Sequence, residues 1–185
     1  MGTNTRMHLA IIIVAVAAVA ASSAGCTNQA TQSPTPGAPA GFVLYVDKTA
    51  GVQMYYPSDW QLTGGLTGGS IATFEHGNDS ILFQIQRSAL NQTGQTVENL
   101  AQRFISNVQS NGSASLLENH SVSLVGLPGY KTVVAFKVNG QPYKALAIWT
   151  IKGNSFYELL FSGTAVQYDE QNATAQQMIS TFNFI

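Results

Sequence analysis

Charge is scarce in this 185-residue sequence. Lys, Arg, Asp and Glu together make up 9% of it, where a soluble domain ordinarily carries about 25%. The formal net charge is -1, and no basic stripe is present to neutralise phosphates, which excludes the electrostatic footprint of a nucleic-acid binder. A single cysteine, Cys26, excludes an internal disulfide and a cysteine metal cluster. A G-x-S-x-G elbow and an obvious catalytic carboxylate pair are both missing. The glycine-rich run GGLTGGS, Gly64 to Ser70, lacks the Lys-Ser/Thr ending of a phosphate cradle and reads as a flexible loop. These absences point away from an enzyme and from a bound cofactor, although a hydrolase site gathered from distant strands stays open. What stands in place of charge is Asn, Gln, Ser, Thr and Gly, a surface that hydrogen-bonds without ionising and is commoner outside the cell.

The one cysteine follows an apolar block. Met1 to His8 is a short segment with Arg6 as its positive charge, and LAIIIVAVAAVAA, Leu9 to Ala21, has the length of a signal-peptide core. That is short for a membrane span, which takes about 20 apolar residues. A nucleophile needs a positioned base, and nothing in the sequence brings His76 or His120 to Cys26. The tetrapeptide SAGC, ending at Cys26, resembles the lipobox of prokaryotic lipoproteins, with Ser23 where an aliphatic residue is usual. The resemblance implies cleavage before Cys26 and lipid on its sulfur. An uncleaved anchor and plain secretion are the alternatives, and Arg6 on the cytoplasmic side places the remainder outside in each. Thr27 to Gly41 is uncharged and holds Pro34, Pro36 and Pro39. It has too little apolar surface to offset the entropy of ordering and reads as a tether. The division expected is a signal peptide over 1–25, a linker over 26–41 and a domain over 42–185.

From Phe42 onward the texture is that of a folded domain. Val52, Met54 and Tyr56 alternate with Gln53 and Tyr55, which predicts a half-buried strand ending at Pro57. Trp60 continues the alternation and is expected in the core. IATFEH and SILFQIQ predict two further strands. TVENLAQRFISNVQS predicts a helix with Val97, Leu100, Ala101, Phe104, Ile105 and Val108 on one face. Thr96 is its N-cap, Glu98 suits the first turn, and Asn111-Gly112 stops it. SLLENHSVSLV, YKTVVAFKV and YKALAIWTIK follow as strands, the last two joined by a hairpin at Asn139-Gly140. A further strand SFYELLFSG, a helix whose face includes Met178 and Ile179, and a terminal strand with Phe182 and Phe184 complete the order. Hairpins outnumber crossovers, so the class is α+β with a largely antiparallel sheet.

GVQMYYPSDW near the domain's start, GLPGYK before a long strand, then YELLFSGT and MISTFNF toward the end, resemble PsbP-like domains. The resemblance implies an antiparallel sheet sandwiched between helices, the α/β/α architecture shared with Mog-type Ran-binding proteins. The family's best-known members are extrinsic photosystem II subunits, and many prokaryotic members are secreted or lipid-anchored. The implied role is a non-catalytic accessory or binding module for a membrane complex, with a protein partner at the membrane. The other reading is a receptor-type domain holding a small molecule or metal ion between sheet and helix. Glu118 and His120 alternate on one strand and so share a face, while Glu75, His76 and Asp79 belong to another strand and its turn. They could gather a metal if those strands met; exposed strand-face polar residues are the simpler expectation. Asn78, Asn91, Asn111, Asn119 and Asn172 each open an Asn-x-Ser/Thr triplet and are candidate glycosylation sites.

Overall fold

Asp47 turns the first hairpin. Its Oδ1 accepts from the backbone N–H groups of Thr49 and Ala50, both at 2.8 Å, and Gly51 follows at a φ of 70°. That turn joins β1 (Phe42–Asp47) to β2 (Val52–Pro57). In β2 the alternation works as expected: Val52 and Met54 are buried, and the Tyr56 ring lies 4.6 Å from that of Phe74. The computed structural model describes residues 38–64, 69–77, 80–90, 94–112 and 114–185. Cys26 and the apolar block before it fall outside these. Among the described residues, no helix is long and apolar enough to cross a membrane.

The remaining strands are β3 (Trp60–Leu62), β4 (Ser70–His76), β5 (Leu82–Ala89), β6 (Ala114–Leu124), β7 (Leu127–Val138), β8 (Gln141–Lys152), β9 (Ser155–Thr164) and β10 (Asn183–Phe184). They form two sheets rather than the one expected. β1, β2 and β10 make a small sheet in that order, and the other strands make a seven-stranded sheet ordered β3-β4-β5-β9-β8-β7-β6. Every pairing is antiparallel.

Helix α1 (Val97–Asn111) begins where Thr96 Oγ1 accepts from Asn99 N at 3.2 Å, and it ends at Gly112 in the left-handed region. Helix α2 (Ala165–Thr181) is capped by Thr164 and closed at Phe182, whose N–H donates to Ile179 O at 3.1 Å. Phe182 therefore ends the helix rather than starting the terminal strand, which is only two residues long.

The large sheet has two packed faces. Trp149 meets Phe104 of α1, ring centroids 5.0 Å apart, while Phe161 meets Tyr168 of α2 at 5.0 Å. Trp149 opposes Glu158, and Leu146 opposes Phe161. Trp149 and Leu146 are an odd number of residues apart in one strand, so they point to opposite faces. The face under α2 also carries the small sheet: Val52 and Met54 join Phe74, Phe83, Leu159 and Met178 in one buried cluster. The fold is thus antiparallel sheet with two helices, and a sandwich between helices describes it only in outline because strands supply much of one layer. Trp60 is 4% exposed and belongs to that cluster, as expected of it.

Candidate functional site

Among the described residues, those singled out in the sequence do not converge. Cys26, Asn78, Asp79 and Asn91, and the side chain of Asn111, lie outside the described residues. Glu118 and His120 do share a face of β6: His120 Nδ1 is 3.4 Å from Glu118 Oε1, and Lys131 Nζ of the neighbouring strand donates to the same oxygen at 2.9 Å. His76 sits on β4, its Nε2 3.6 Å from Asp59 Oδ2 and its ring 5.8 Å from that of Trp60. Between β4 and β6 stand β5, β9, β8 and β7, so the two acidic-histidine groups never meet. Among the described residues, no three His, Cys, Asp or Glu side chains are grouped to hold a metal. Asn119 is exposed in the middle of β6, and Asn172 is half-buried on α2, with its Oδ1 accepting from Gln176 Nε2 at 3.4 Å.

A concave feature among the described residues lies elsewhere, at the corner where the β6–β7 hairpin approaches the end of α2. Ser123, Leu124 and Val125 form one wall and Ile179–Asn183 the other of a solvent-open cleft of about 440 Å³. Thr181 holds the corner together. Its Oγ1 accepts from Tyr55 N at 3.0 Å and lies within bonding distance of Met178 O and Tyr55 O, at 2.8 and 3.3 Å. No lining residue is ionisable. Ser123, Ser180 and Asn183 are exposed and can hydrogen-bond, and the apolar surface comes from Leu124, Val125, Ile179 and Phe182. Such a lining can recognise a neutral ligand but cannot move a proton. Nothing in the sequence marked this corner, because its walls are about 55 residues apart and only Gly126 signalled a turn there.

The strongly displaced carboxyl is buried, on the face that packs under α1. Glu158 is 2% exposed, and burial pushes its carboxyl up to about 7, with the hydrogen bond from Trp149 pulling the other way. On neighbouring strands of the same face, Gln86 Nε2 donates to Gln84 Oε1 at 3.1 Å and Gln84 Nε2 to Thr73 Oγ1 at 3.2 Å. A raised carboxyl in a cleft would mark a catalytic candidate; this one is sealed in the core. Tyr45 and Tyr168 are likewise pushed up to about 12, chiefly by burial and then by neighbouring carboxylates.

The PsbP family model matches residues 40–184. Among solved structures, the cyanobacterial PsbP of Synechocystis sp. PCC 6803 superposes with a TM-score of 0.60 at 19% identity, over 84% of this chain and 99% of that one. LpqN of Mycobacterium tuberculosis, described as involved in cell envelope biogenesis, gives 0.61 at 11% identity over 71% and 82%. The Ran-binding protein Mog1p of Saccharomyces cerevisiae gives 0.53 at 7% over 77% and 95%. No curated protein matches the sequence. At these identities the structures speak for the fold alone.

Proposed function

The chain belongs to the PsbP family, and from that premise we propose that it is a non-catalytic binding module, lipid-anchored through Cys26, facing outward and serving a membrane complex. The observation that carries this reading is the lining of the cleft, where hydroxyl, amide and aliphatic groups stand without one ionisable side chain. General acid–base chemistry needs titratable groups within reach of substrate. Recognition of a neutral surface needs only what the cleft has. The described domain begins after a Pro-rich uncharged tract, which suits a module standing off a membrane. The link of LpqN to an envelope is consistent with such a place. Asn119, exposed on β6, is the triplet best positioned to carry a glycan.

The experiment for this reading is membrane fractionation with intact-mass analysis of the mature protein. A mass that begins at a lipid-modified Cys26, and release of Cys26→Ser from membranes or its retention as precursor, is the expected result. Wild-type fractionation and mass for that variant would remove the anchor from the reading.

A further inference from the structure

The strand registers sort the two ends of the domain. Trp60 opens β3 opposite His76 at the close of β4, and Leu82 opens β5 opposite Ser162. Thr164 closes β9 opposite Tyr143. All of these positions lie at one end of the large sheet, the end where β7 turns into β8. The chain enters the domain there too. Phe42 opposes Pro57, Ser58 N donates to Gly41 O at 2.8 Å, and Trp60 stands two residues further on. The cleft and the β6–β7 turn belong to the opposite end.

One hairpin projects from the entry end. β6 begins opposite Phe136 and β9 stops opposite Tyr143. Two more residues on each arm carry the β7–β8 turn about 6 Å past both neighbouring strands. Residues 136–144, FKVNGQPYK, hold two lysines and no acid. The rings of Phe136 and Tyr143 are half-buried, 5.8 Å apart. Lys144 Nζ donates to Asp169 Oδ2 at 2.7 Å. Lys137 is exposed and, among the described residues, has no carboxylate partner. The Tyr143–Thr164 pair brings the first turn of α2 alongside, where Val166 is 67% exposed. Such a set suits the boundary between bilayer and water: aromatic rings belong at headgroup level, and lysine lays its stem on apolar surface with its ammonium in the wet layer.

We propose that the β7–β8 tip, with Val166 beside it, is a second membrane contact, seated in the headgroup layer of the bilayer that holds the lipid on Cys26. The proposal depends on the anchored reading of the chain and adds how the domain stands on its membrane. Residues 27–41 join Cys26 to the end of the domain that bears the tip. A linker of this kind keeps the tip at an effective concentration of about millimolar near the surface. A contact too weak to hold a free protein is therefore enough. In this pose the cleft and the β6–β7 turn point away from the bilayer.

The test uses the full-length lipidated protein in phosphatidylcholine–phosphatidylglycerol vesicles with nitroxide-labelled headgroups. Lipid on Cys26 occupies the one native thiol. Gln141→Cys and Ser123→Cys, both at exposed positions, then each take a single fluorophore, at the tip and at the opposite end. The label at position 141 should be quenched about twofold or more over that at 123. Lys137→Glu combined with Val166→Glu should bring the two labels level. Both sites are exposed, and an acid is favoured in the first turn of a helix, so the fold survives. Equal quenching without that double substitution overturns the contact, as does a tip signal that the substitution leaves unchanged. Lipid found on Cys26 by intact mass leaves the anchor standing in either case, whereas its absence overturns anchor and contact together. A thiol at position 141 that is open in lipid vesicles but blocked in native membranes would give the tip to a protein partner and overturn the lipid contact.

Discussion

Trp149 and Glu158 face each other across the β8–β9 pair, and Trp149 Nε1 donates to Glu158 Oε1 at 2.8 Å. Both are buried, the indole at 1% and the carboxyl at 2% exposure. The indole N–H has a partner, but a carboxylate there would be a buried charge, and among the described residues no cation pairs with it. That makes the protonated acid the form the fold prefers.

A pH dependence follows from this pair. The folded-state pKa of Glu158 is raised from 4.5 to about 7, so between those values the folded protein holds a proton that the unfolded chain releases. Stability from this group is present below about pH 4.5, falls as pH rises toward 7, and is flat above it. The loss amounts to about 3 kcal/mol at most. Glu158→Gln keeps the acceptor and removes the charge, so it should be more stable than wild type at pH 8 and similar at pH 4. Urea unfolding at both values reads the difference; equal stability of the two proteins at pH 8 would refute the assignment.

Trp60→Ala should destabilise by about 3–5 kcal/mol, the range for truncating a large buried side chain. Trp60 is 4% exposed, pairs with His76 across β3–β4 and closes one end of the core shared by both sheets. Chemical denaturation measures the change. An unmoved midpoint accompanied by lost partner binding would make Trp60 a contact residue instead.

Local signals were readable in the sequence where one short stretch decides the outcome. Thr96 caps α1, Gly112 ends it in the left-handed region, and Asn139-Gly140 turns a hairpin. The alternation of Val52 and Met54 fixed the buried side of β2. What could not be read depends on residues far apart. The Trp149–Glu158 bond exists only in the particular β8–β9 register. The split into two sheets follows from β10 returning to β2 from the far end of the domain. Val125 reads as strand by composition, yet the tight β6–β7 pairing forces it into the turn. Glu118 and His120 were rightly placed on one face, but neither their distance from His76 nor the cleft could be counted from spacing.

Purified protein should hold no stoichiometric zinc or copper bridging His76 and His120. The two histidines occupy strands separated by four others, and at about 4.8 Å per strand the gap is roughly 24 Å. A zinc ion reaches its ligands at about 2 Å. Elemental analysis is the measurement, and metal at one equivalent that disappears in both His76→Ala and His120→Ala would contradict the strand order itself.

Gly129→Ala should destabilise by about 1–3 kcal/mol, as overpacking does in a filled core. Gly129 lies in the GLPGYK stretch that carries the family resemblance, and the structure gives a reason for glycine there. A Cβ at this position would stand 2.9 Å from the backbone oxygen of Trp149 and 3.3 Å from Val122 Cγ2. The side chain of Val122 could give way, but the Trp149 oxygen belongs to β8, which is paired to β7 along nearly its whole length. Making room means parting two central strands, and the same movement would disturb the Trp149 indole on Glu158. Gly126→Ala offers the contrast: it meets nothing within 4 Å, but its φ of 76° strains any side chain. The two variants should therefore separate by mechanism. Gly129→Ala should shift the amide and indole NMR signals of Trp149, whereas Gly126→Ala should lose stability with those signals in place. Unshifted Trp149 signals in Gly129→Ala would show that the strands are not held as closely as the contact implies.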